Sequence, residues 1–91
     1  MGIFLVTTDL DRMGSNYTSI RKKLVALNGM QAQGTVWLVR FEDSADALRD
    51  HLQDGLDSND RLLVVRINSD WAAFNMAPSC RWLREAAQEG H

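Results

Sequence analysis

With 91 residues, 45% of them hydrophobic and a single cysteine, the chain has material for one core, which excludes a two-domain protein and a disulfide-stapled one. Its formal charge of −2 excludes the strongly basic balance that usually supplies sequence-independent nucleic-acid affinity, so any such role needs a local patch. A single domain over residues 1–91 is short of core, and self-association through a sheet edge or an apolar face is the expected relief.

Ile3 to Leu10 begins as a continuous apolar run and turns polar at Thr7, Thr8 and Asp9, the profile of a central strand whose C-terminal end emerges from the core. The apolar run stops at Val6, too short for a secretory leader or a membrane span, which predicts a cytoplasmic protein with no membrane anchor. After a turn, Ser15 or Asn16 is expected to cap a helix in which Tyr17, Ile20, Leu24 and Leu27 share one face and Arg21, Lys22 and Lys23 lie towards the other. Asn28-Gly29 ends that helix, with Gly29 expected to take the left-handed conformation of a C-cap.

Met30 to Phe41 reads as strand, and Gly34 in its middle predicts a bend, a bulge or a hairpin. In its second half Trp37, Val39 and Phe41 form an apolar face and Val36, Leu38 and Arg40 a mixed one, as expected of a sheet covered by helices on one side only. Asp43-Ser44 offers the cap of a short second helix whose stripe runs through Ala45, Leu48 and Leu52 to Leu56. Leu62 to Ile67 is a further buried strand, Asn68 to Met76 is irregular, and Pro78 and Ser79 open a last helix with Ser79, Trp82, Leu83 and Ala86 on one side. This order predicts an α+β fold: a ferredoxin-like βαββαβ sandwich, its antiparallel sheet carrying two helices on one face, plus a C-terminal helical tail.

Asp9 is the most informative polar residue, because it ends an apolar strand where side chains emerge over the sheet edge; capping the following turn is its alternative role. One carboxylate does not complete a Mg²⁺ site, which wants six oxygen ligands, so a metal site here requires a second Asp9 from a two-fold dimer. His51 and His91 have no Cys or His partner at zinc-ligand spacing, and Cys80 has no evident base beside it. Arg21, Lys22 and Lys23, with Arg12 nearby in sequence, form the best phosphate-contacting candidate. Successive helical residues point about 100° apart, and a solvated face competes with that reading. Trp37, Trp71 and Trp82 are open to base stacking, to the core or to a dimer interface, with the packing roles favoured.

Val6-Thr7-Thr8-Asp9-Leu10, the helix with Tyr17, Arg21, Lys22 and Leu24, and Gln33-Gly34-Thr35-Val36-Trp37 resemble the first half of the CRISPR-associated protein two family. The layout is similar also to VapD toxins and SinR-like proteins, and Asn59 to Val64 with Asp70-Trp71-Ala72 is most similar to the SinR-like branch. The resemblance spans most of Gly2 to Phe74. It implies a homodimer in which Asp9 pairs across the axis, holds Mg²⁺ and supports cleavage of RNA or DNA phosphodiesters. Arg21 and Lys22 would lie on the helix that is basic in nucleic-acid-binding members. The alternative it implies is a non-catalytic dimeric scaffold or a toxin-like regulator acting through protein contacts.

Overall fold

The computed structural model describes residues 2–10 and 14–89. In chain order the elements are β1 (Gly2–Asp9), α1 (Gly14–Ala26), β2 (Met30–Gln33), β3 (Val36–Phe41), α2 (Ala45–Gln53), β4 (Arg61–Ile67) and α3 (Ala77–Glu89). The strands form one sheet in the order β2-β3-β1-β4, every neighbouring pair antiparallel. β3 is inserted between β1 and β2, and β1 between β3 and β4. The two helical crossovers therefore each step over one strand, which is the ferredoxin-like arrangement the element order predicts.

Alternation along β1 sorts the molecule into two sides. Phe4, Val6 and Thr8 are buried on one face, where cross-strand register sets Val39 beside Phe4 and Trp37 beside Val6. Ile20 and Leu24 of α1 and Leu48 and Leu52 of α2 close over them to make the main core. Each such side chain contributes roughly 1.5–3 kcal/mol by leaving water. At the open end of this core the Phe4 ring meets Phe41 edge-on at 6.4 Å, and the Arg66 guanidinium lies 5.0 Å over its face.

Gly34 marks a hairpin between β2 and β3, with a register irregularity between Gln31 and Gln33. Ser44 caps α2 as expected, its hydroxyl accepting from the Ala47 amide at 3.1 Å. α1 begins at Gly14, earlier than the Ser15 or Asn16 cap predicts, so both fall inside its first turn and their side chains lie outside the described set. Its C-terminus also differs from expectation: the left-handed residue is Asn28, at φ 58°, and not Gly29. The Asn28 amide donates to the Val25 carbonyl and the Gly29 amide to the Leu24 carbonyl, both at 2.9 Å, which is the Schellman pattern with Asn in the strained position.

The helical tail is more than an appendage. Leu38 points away from the main core, by its register opposite Leu5, yet is buried, and Ser79, Leu83 and Ala86 of α3 are buried too. α3 therefore packs on the second sheet face, contrary to the expectation of a sheet covered on one side only. Trp71, in the segment before it, lines a groove with Ile3, Ile67 and Leu83. The cover is incomplete: Leu63 and Val65 of β4 remain 58% and 45% exposed.

Gly29 makes room for its own hydrogen bond, since a Cβ there would stand 2.9 Å from the Leu24 carbonyl oxygen, whereas one at Gly34 would meet nothing within 4 Å. Gly29→Ala should cost about 1–3 kcal/mol in urea unfolding, with Gly34→Ala within about 0.5 kcal/mol of wild type.

Candidate functional site

Asp9 is the last residue of β1 and is exposed, while Thr8 before it is buried and ties the strand end to the β2–β3 hairpin by donating its amide to the Thr35 carbonyl at 3.1 Å. Alternation thus turns Asp9, with Ile3, Leu5 and Thr7, to the face opposite the main core. Directly across from Asp9, in register, stands exposed Arg61 at the start of β4. The two flank a shallow depression of about 140 Å³ shared with Thr7, Thr8, Leu62 and Leu63.

Arg61 is the residue that reading the sequence misses. It lies 52 positions after Asp9, at the edge of a turn, and nothing in its local context marks it. Only the β1–β4 register brings the two together.

The predicted basic patch divides. Arg21 and Lys22 are exposed on α1, and Arg12 lies outside the described residues. Lys23 is engaged elsewhere: its ammonium donates to the His51 carbonyl at 3.1 Å and to the Asp54 carbonyl at 2.6 Å. It thereby satisfies carbonyls at the C-terminal end of α2, where a cation is also favoured by the helix dipole. α1 thus keeps two exposed cations, not three, as phosphate candidates among the described residues.

Of the tryptophans, Trp37 belongs to the main core and has no face left for a base. Trp82 is half-buried and borders a cavity of about 740 Å³ with Leu27, Arg40, Phe41, Glu42 and Glu85. This cavity lies at the Phe41 end of the sheet, the end opposite Asp9. Among the described residues no three of His, Cys, Asp and Glu gather to hold a metal ion, so within one copy Asp9 stands as a lone carboxylate candidate. No helix among them is long and apolar enough to cross a membrane.

No protein-family model matches the chain, and no solved structure matches it significantly. The class is set by its topology alone: a small α+β domain of ferredoxin-like arrangement with a helix on its second face.

The carbonyl bonds of Lys23 join two helices, and those of a solvated lysine join nothing. Lys23→Ala should therefore lower stability by about 0.5–1.5 kcal/mol in chemical denaturation, with Arg21→Ala and Lys22→Ala inside about 0.5 kcal/mol.

Proposed function

We propose that the protein acts in the cytoplasm as a homodimer like those of CRISPR-associated protein two, a Mg²⁺-dependent endonuclease for RNA or DNA phosphodiesters. The observation that carries this reading is the exposed Asp9 at the end of the central strand, in register with an exposed arginine. Two Asp9 carboxylates from two copies supply charge −2, which suits one divalent cation; among the described residues of a single copy no group of three or more His, Cys, Asp and Glu does so. A cation held there supplies an activated water and offsets charge on the phosphate.

The chain's own groups divide the remaining work. Each Asp9 carboxylate has two oxygens, enough to face a cation and accept a hydrogen bond together. Arg61 donates to a non-bridging phosphate oxygen, as a guanidinium does well in two-point contacts. With two arginines, two aspartates and one divalent cation the site carries +2, attractive to a phosphodiester; without the cation it is neutral. Arg21 and Lys22, exposed on α1 over the other face of the sheet, are a separate phosphate-contacting candidate.

A second reading, a non-catalytic dimeric scaffold or a toxin-like regulator acting through protein contacts, draws on the same arginine. Arg61 stands in register with Asp9, and a guanidinium brought onto that carboxylate would offset its charge and compete with a cation for it.

Cleavage of labelled single-stranded RNA and DNA across Mg²⁺ and Mn²⁺ separates the two. The first reading expects Asp9→Asn to lose at least about a hundredfold of the metal-dependent rate with folding and dimer intact, consistent with loss of an ion ligand. Equal cleavage by variant and wild type ends it, and a wild type inert in both metals leaves the scaffold.

A further inference from the structure

The end of the sheet opposite Asp9 carries a groove of about 320 Å³ bordered by β1, β4 and α3. Ile3 and Ile67, paired in register, line it together with Trp71, Leu83 and Ala87, so its walls are mainly apolar. At strand spacing the six steps from Ile3 to Asp9 separate it by about 20 Å from the candidate site. Its polar border consists of Asn68 and Ser69, Arg66 of β4 and Arg84 of α3, with no carboxylate among the described residues that line it. In a chain of net charge −2 this is a local reversal of sign.

The surroundings hold Arg66 at this end. Its guanidinium lies 5.0 Å over the Phe4 ring, and Gly2 leaves the room for it, since a Cβ there would stand 3.0 Å from Arg66 Cζ. Stacking occupies one face of a planar guanidinium and leaves its in-plane N–H donors for an acceptor. Arg84 borders the same groove from a different element and is exposed.

We propose that this groove binds a small amphipathic carboxylate, independently of the Asp9 end. The apolar body of the ligand lies against Ile3, Ile67, Trp71 and Leu83, and its carboxylate is taken by Arg66 and Arg84. Apolar walls with a few charged groups at the border are the usual make-up of a small-ligand site. The guanidinium fork matches the two oxygens of a carboxylate. Charge complementarity selects this occupant. An amine would meet two arginines and no acid. A nucleotide would set the hydrogen-bonding edge of its base against isoleucine and leucine, leaving those groups without partners.

Titration of the full chain with octanoate, followed at the Trp71 indole N–H by two-dimensional NMR, tests the assignment. Octanoate should give a saturable shift of that resonance, and octylamine, of the same length and opposite charge, should give none. Arg66→Gln and Arg84→Gln should each weaken octanoate binding by about fivefold or more. Arg84 is exposed on α3 and makes no ring contact, so its variant carries the test if loss of the Arg66–Phe4 contact unfolds the chain. No saturable shift with octanoate, an equal response to octylamine, or wild-type affinity in Arg84→Gln overturns the proposal. Adenosine monophosphate displacing octanoate at equal concentration would put a nucleotide in the groove, and a Trp71 resonance that moves with protein concentration alone would put a second copy there; either result overturns it too.

Discussion

Everything in this domain depends on the two-residue alternation of the central strand. β1 is hydrogen-bonded on both sides, so its backbone cannot slip by one residue without carrying Phe4 and Val6 out of the main core. That constraint sends Thr8 inward and Asp9 outward. The exposure of the one strand-end carboxylate follows from core packing: a slip that buried Asp9 would expose a phenylalanine and a valine.

The same logic governs what the helices contribute. α1 and α2 are held to the sheet by Ile20, Leu24, Leu48 and Leu52, and to each other by a lysine spanning from one helix to the carbonyl end of the next. Lys23 therefore belongs to the packing of the layer, and its charge is spent against a helix dipole. Asn28 continues this economy of local devices, since its left-handed conformation lets the chain reverse into β2 at a position where glycine would be the cheaper choice.

α3 changes the character of the second face. Had it been a detached tail, the whole face with Leu5, Leu38, Leu63 and Val65 would lie open. By burying Leu38 and bordering the Ile3–Ile67 end, it narrows the open area to a strip beside Asp9 and Arg61. A small domain short of core thus acquires a second, smaller one, and the apolar surface left over adjoins the one strand-end acid and base.

Much of the architecture was legible in residue order, because periodicity reports directly on which side of an element meets the core. The faces of α1, α2 and α3, the apolar alternation of β3, the Ser44 cap and the emergence of Asp9 from β1 all follow from local pattern. The tertiary structure alone decided matters that depend on pairing between distant segments. Arg61 stands opposite Asp9 through strand register; Lys23 belongs to α2 through helix packing; α3 lies on the second face through the burial of Leu38. Local patterning tells a side chain whether to face in or out. What it then faces is set by strand pairing and layer packing, free-energy terms that no short window of residues contains.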